Sequence, residues 1–131
     1  MTTWTEAEVT TKASPRSVAD TVSRLTEILS ARGVKVFSVI DQGKEARDAG
    51  LRLRETVLVI FGNPAAGTPV MDAEPLAALD LPLKLLIWAD GGQTNVSYYS
   101  AEALAARYGL SAELKAKVAP VDAIAGALVA P

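Results

Sequence analysis

The sequence predicts an α+β protein, with a mixed or antiparallel sheet of about five strands and helices packed on one face. Three observations lead there. Short β-branched or apolar runs alternate with helical patterns along the chain. Two of the runs flank Asp90-Gly91-Gly92-Gln93, a tight hairpin signal, so at least one strand pair is antiparallel. No GxGxxG follows the first run, which removes a doubly wound dinucleotide fold. A chain of 131 residues fits one domain, here residues 1–131.

The elements follow in order. Trp4–Thr11 alternates loosely and carries Thr, Val and Trp, which predicts a first strand. Ser14-Pro15 reads as an N-cap with proline at the first helical position. Val18, Val22, Leu25 and Leu29 then share one helical stripe, so a helix is expected over Pro15–Arg32, closed by Gly33. Val34–Ile40 is β-branched and aromatic, a second strand. Asp41–Gly50 is polar and reads as a short exposed helix or a loop. Thr56–Phe61 is continuously apolar, the pattern of a strand buried on both faces.

Gly62–Thr68 is turn chemistry, and Thr68-Pro69 repeats the cap-plus-proline signal. A helix capped by Thr68 and running to about Leu79 is expected, with Asp72 and Glu74 near its positive end. Leu83–Ala89 and Thr94–Tyr99 form the hairpin. Ser100 caps a helix to Tyr108, and Gly109 ends it. Ser111 opens the last helix. Pro120 should kink it, yet Leu114, Val118, Val121, Ala125 and Leu128 keep phase across the proline. One kinked helix is expected.

Composition removes several chemistries. With no Cys there are no disulfides, thiolate metal sites or thiol nucleophiles. With no His there are no His-based triads or imidazole shuttles. A net charge of −2 and a pI near 5.1 argue against nucleic-acid binding. The opening MTTWTEAEVTT has no basic region followed by an apolar one, so it is not a secretory signal. The most apolar stretch, Leu79–Ala89, is well short of the roughly 20 residues that cross a bilayer. A soluble, cytoplasmic protein without membrane or nucleic-acid partners is expected.

Longer motifs add to this. Phe61-Gly62-Asn63-Pro64, Gly67-Thr68-Pro69 and Ala78-Leu79-Asp80-Leu81-Pro82-Leu83-Lys84 occur with Ser17-Val18-Ala19 and Arg107-Tyr108-Gly109-Leu110. Together they resemble the domain-of-unknown-function family 302, over about Trp4 to Ala127. The resemblance implies a small α+β protein with a TATA-binding-protein-like sheet, helices on one face and dimeric packing. It implies no assigned activity, and a fold alone implies no DNA binding. Related sequences often carry His where this chain has Gln42 and Tyr108, so family chemistry built on those imidazoles does not carry over.

The Gly62–Thr68 loop is the best site candidate. It follows a strand and enters a helix, where free N–H groups favour an anion. Gly62 and Gly67 permit close backbone approach, and Asn63 and Thr68 add polar side chains. The same residues also serve a plain turn and cap, and the loop lacks the GK[ST] ending of a P-loop. Trp88 and Tyr98 on the hairpin suit a pocket for a small apolar ligand, or core packing with a polar tip. Asp41, Glu45 and Asp48 share a helical face, but Lys44 and Arg47 interleave with them, so a solvated helix is expected and no metal. Ser97, Ser100 and Ser111 have no base to activate them. Lys84 lies between leucines, either as a snorkelling lysine or as one with a lowered pKa.

The expected function is a homodimeric, non-enzymatic module that binds a small anionic or apolar ligand or serves as an accessory unit, with no cofactor. The alternative is a small-molecule enzyme that uses Gly62–Thr68 as an anion or oxyanion cradle, with Lys84 or a carboxylate as base. The dimer expectation rests on the apolar runs Thr56–Phe61 and Leu83–Ala89, on a sheet with one uncovered face, and on an apolar last helix.

Overall fold

The computed structural model describes residues 8–131; of the expected first strand, residues 4–7 lie outside that range. The strands are β1 (Thr10–Ser14), β2 (Lys35–Asp41), β3 (Thr56–Gly62), β4 (Leu83–Asp90) and β5 (Gln93–Tyr98). They form one sheet in the order β1-β5-β4-β3-β2, with every neighbouring pair antiparallel. The helices are α1 (Val18–Ala31), α2 (Gln42–Asp48), α3 (Pro64–Ala73), α4 (Ala101–Tyr108), α5 (Ala112–Val118) and α6 (Pro120–Val129). A short 3-10 helix, Pro75–Leu79, follows α3. The α+β class and the hairpin stand as the sequence predicts.

The core lies between one face of the sheet and helices α1 and α6. Val57, Val59 and Phe61 of β3, Leu85 and Ile87 of β4, and Val96 of β5 meet Leu25 and Leu29 of α1 and Ile124 and Leu128 of α6. All are buried, and a fully buried Leu, Ile or Phe contributes about 1.5–3 kcal/mol. Arg16 donates to the Leu128 and Ala130 carbonyls at 3.0 and 2.9 Å, and Arg24 to Ala127 at 3.1 Å. These side chains satisfy carbonyls that the end of α6 leaves without helical partners. Helices α3, α4 and α5 pack mainly on one another, with α4 and α5 also reaching α6.

Several expectations are corrected. Helix α1 begins at Val18, not Pro15. Ser14 belongs to β1, is buried, and pairs its hydroxyl with Thr21 at 2.8 Å, while Ser17 is the cap and accepts from the Asp20 amide. Thr68 is not an N-cap. The helix starts earlier, where the Asn63 side chain accepts from Ala65 N at 3.0 Å and Pro64 takes the first helical position. Thr68 and Pro69 therefore lie inside α3, and Asp72 and Glu74 fall at its negative end.

Strand β3 is not buried on both faces. Val57, Val59 and Phe61 face the helices, whereas Leu58 and Ile60 are half-buried on the other side, which no helix of the core layer covers. The last helical stretch is two helices joined through Ala119, which keeps helical backbone angles. Its apolar residues Val121, Ile124, Ala125 and Leu128 are spent on this chain's own core, so they offer nothing to a second copy.

Candidate functional site

A half-open cavity of about 610 Å³ lies where the C-terminal end of α1, the N-terminal end of α3 and the α5–α6 junction converge beside β3 and β4. Local chemistry builds each wall. Strand β2 carries a bulge, because Val36 pairs with Phe61 and Ser38 with Ile60, and Phe37 has no partner. A bulge re-aims the extra side chain, and here Phe37 becomes part of the cavity wall. Gly62 ends β3 and is buried; a Cβ there would stand 3.4 Å from Pro82 Cβ and 3.8 Å from Phe37, at ordinary contact distance. Gly67 lies one turn into α3, and a Cβ there would reach Met71 at 3.8 Å.

The sequence candidates divide. Gly62, Asn63, Gly67 and Thr68 all line the cavity. Trp88 and Tyr98 do not, and they do not line a common pocket either. Trp88 pairs with Asn95 on the uncovered face and donates its ring N–H to Ser97 Oγ at 2.9 Å. Tyr98 points to the opposite face, buried in the core, where burial and then the charge of Asp122 raise its pKa. Strand alternation is the reason: Ser97 shares a face with Trp88, so its neighbour Tyr98 cannot.

The anticipated backbone cradle is closed. Pro64 has no N–H, Ala65 N is taken by the Asn63 side chain, and Ala66 N and Gly67 N both donate to the Asn63 carbonyl at 2.9 Å. The start of α3 thus has no free amide among these positions to hold an oxyanion. Lys84, the proposed base, lies on the uncovered sheet face opposite the core, paired with Ile60, its Nζ 3.8 Å from Asp80. Two of the three carboxylates of the polar stretch are also engaged. Asp41 caps α2 through Lys44 N at 2.9 Å, and Asp48 pairs with Lys44 Nζ at 2.8 Å. Ser100 and Ser111 cap α4 and α5.

The cavity is mainly apolar, with Val34, Phe61, Met71, Leu81, Leu83 and Ile124 among its lining. Its charged members are Arg32 and Lys117, and no carboxylate lines it. Neither cation forms an ion pair among the described residues. Arg32, Phe37, Met71 and Lys117 escaped sequence reasoning. They come from a helix C-terminus, a bulge and two separate helices, so no local spacing links them.

A second cluster borders the first. Asp80 is 13% exposed at its side chain and accepts from the Tyr108 hydroxyl and from Arg107 at 3.0 Å. Arg107 also pairs with Glu8 at 3.2 Å and stacks 4.5 Å over the Tyr99 ring. Burial pulls the Arg107 pKa down, but its bonds to Asp80 and Tyr99 and the Asp80 charge outweigh this and hold it above the usual value. Every polar group here has a partner, and the residues tie the Asp80 loop to α4.

Comparison with known proteins gives a consistent picture. The chain is 37% identical over 115 residues to "Fluoride-specific ion channel FluC 1" of Brucella suis biovar 1 (strain 1330), covering 86% of this chain and 45% of that protein. It is equally similar to the protein of that name from Brucella abortus biovar 1 (strain 9-941), covering 43% of it. The chain thus spans less than half the length of the curated relatives it matches, and no helix among its described residues is long and apolar enough to cross a membrane. A crystal structure of an uncharacterized conserved DUF302 protein from Bacillus stearothermophilus superposes with a TM-score of 0.77 at 21% identity, covering 93% of this chain and 95% of that one, and so shares the fold. With the family model "Domain of unknown function DUF302" matching residues 10–128, the chain belongs to that family.

Proposed function

We propose that this chain is a one-domain, non-enzymatic binding module that takes a small organic molecule into the cavity between α1, α3 and the α5–α6 junction. The carrying observation is the cavity itself. Its volume of about 610 Å³ falls in the ordinary range of small-molecule sites, and its lining is apolar with a few polar groups, as such sites require. The enzyme alternative loses support because the α3 amides are spent and Lys84 sits on the other face of the sheet. In the longer relatives named as fluoride channels, the matching stretch is on this reading an attached binding or accessory unit, and conduction belongs to the remainder. The module works in the cytoplasm; fractionation of cells expressing the tagged chain checks that placement.

The test is fluorescence of N-phenyl-1-naphthylamine, a neutral apolar reporter that brightens when it leaves water. Saturable brightening with the wild-type chain, lost in Gly67→Leu, is expected. The leucine replaces a helical glycine and projects toward Met71, so it fills the hollow while improving helix propensity. Equal brightening by both proteins would reject the cavity as the site.

A homodimer is the second part of the reading. Ile40, Leu58, Ile60, Leu86 and Trp88 are half-buried on the sheet face that α1 and α6 leave uncovered. A two-fold contact would place this same patch on both copies. Light scattering over a tenfold concentration range should give twice the chain mass, and Leu86→Lys should give one chain mass. A wild-type mass of one chain at every concentration would remove the dimer.

A further inference from the structure

We propose that the ligand is an amphipathic monocarboxylate, with an alkyl chain in the cavity and its carboxylate held by Arg32 and Lys117. This rests on the binding reading above and adds the sign and type of the ligand's polar end. Local charge argues first. The chain as a whole is acidic, 13 Lys+Arg against 15 Asp+Glu, yet the cavity is lined by two cations and no anion. A cationic ligand would meet repulsion there, and a neutral one would gain nothing from either charge.

The fate of other cations on the molecule sharpens the point. Arg16 and Arg24 are consumed by the carbonyls that end α6; Lys44, Arg54, Lys84 and Arg107 have acidic partners. Seven cations are left with neither among the described residues, and of these Arg32 and Lys117 are the two that line the apolar cavity. Arginine presents a planar fork that matches a carboxylate, and lysine adds a point charge. Asn63 spends its side-chain oxygen on the α3 cap, which leaves its amide nitrogen as a further donor beside the cavity.

The shape of the remaining site separates a carboxylate from a phosphate. Phosphate sites at helix starts use several free backbone amides, and those of α3 are already bonded. What is left is side-chain recognition of a compact anion above an apolar space. That space holds the equivalent of about 20 water molecules, ample for a ten-carbon chain. Burying such a chain against Val34, Phe37, Met71 and Leu81, the lining residues that keep exposed surface, supplies the affinity, and the cations supply the choice of head group.

The experiment is calorimetric titration of the full chain with decanoate, decanol and decylammonium, each below its aggregation limit. Decanoate should bind roughly tenfold more tightly than decanol, as a charge-assisted contact warrants, with decylammonium weakest. The doubly substituted Arg32→Gln/Lys117→Gln chain should bind decanoate and decanol alike, with decanol affinity unchanged from wild type. Added salt should narrow the wild-type difference. Equal wild-type affinities for the three compounds, or tightest binding of decylammonium, would overturn the carboxylate while leaving the cavity reading intact. Failure of all three to bind would overturn both. Decanoate binding that survives in Gly67→Leu would place the ligand elsewhere and overturn the proposal.

Discussion

The segment Asp80–Leu83 has two neighbourhoods that place charged groups in opposite ways. On one side Asp80 is held by Tyr108, Arg107 and Lys84, and Arg107 is held again by Glu8 and Tyr99. On the other, Leu81, Pro82 and Leu83 wall an apolar hollow bordered by two cations without ion pairs. The first arrangement is complete within the chain and has nothing left to offer a ligand. The second keeps its two cations in contact with solvent at the rim of an apolar space, where the proposed ligand's charge would meet them.

If that contrast holds, the saturated side is where substitution harms stability most. Asp80→Ala leaves the Tyr108 hydroxyl without its acceptor and Arg107 without its inner partner. Hydrogen bonds to charged groups contribute about 1.5–3 kcal/mol, so a loss of about 2 kcal/mol is expected from urea unfolding. A midpoint equal to wild type would show that the cluster is ornamental and the comparison empty.

The same cluster predicts a pH response. Burial first, and then the hydrogen bond and charge of Asp80, raise the Tyr108 pKa above its ordinary 10.0. The folded chain therefore holds this proton more tightly than the unfolded chain. The stability so gained is intact below about pH 10 and is lost as pH rises through the folded value. Tyr108→Phe should flatten the alkaline decline in urea midpoint between pH 9 and 11, relative to wild type. Parallel declines would detach Tyr108 from the network.

A smaller effect separates Asn63 from Thr68 on the cavity side. Asn63→Ala removes the observed cap and should cost about 1 kcal/mol, whereas Thr68→Ala, inside the helix, should be neutral within a few tenths because alanine is the better helix former. Thermal midpoints of the two variants decide it, and a larger loss for Thr68→Ala would return the helix start to that residue.

That pair also shows where the sequence was legible. Asn63-Pro64 and Thr68-Pro69 carry the same cap signal five residues apart, and nothing local ranks them. The first wins because it follows directly on β3, and the second proline fits within the helix that results. Ser14-Pro15 carries a cap signal too, but pairing of Ser14 with Thr94 commits it to β1, and Ser17 takes the cap. Where one signal stood alone, as with Ser100, Gly109, Ser111 and the hairpin at 90–93, the element followed it. The site was half-legible for the same reason. Gly62, Asn63, Gly67 and Thr68 are one local motif, while Arg32, Phe37 and Lys117 reach the cavity only through the tertiary fold. Trp88 and Tyr98 share no pocket because the two-residue period of the strands sends them to opposite faces, and Tyr98 takes the core-packing alternative.

The smallest expected effect is the one that most sharpens the comparison. Arg32 is exposed at the end of α1 and Lys117 half-exposed on α5, and neither has an ion-pair partner among the described residues to lose. Replacing both with Gln removes two like charges from one cavity and a small favourable interaction of Arg32 with the negative end of α1. These contributions oppose each other, so the unfolding free energy from urea titration should change by less than about 0.5 kcal/mol, the usual range for surface substitutions. A loss near that of Asp80→Ala would mean that the two cations are structural like Arg107. A negligible loss means that the fold carries two side chains it does not need, at the border of a space it does not fill.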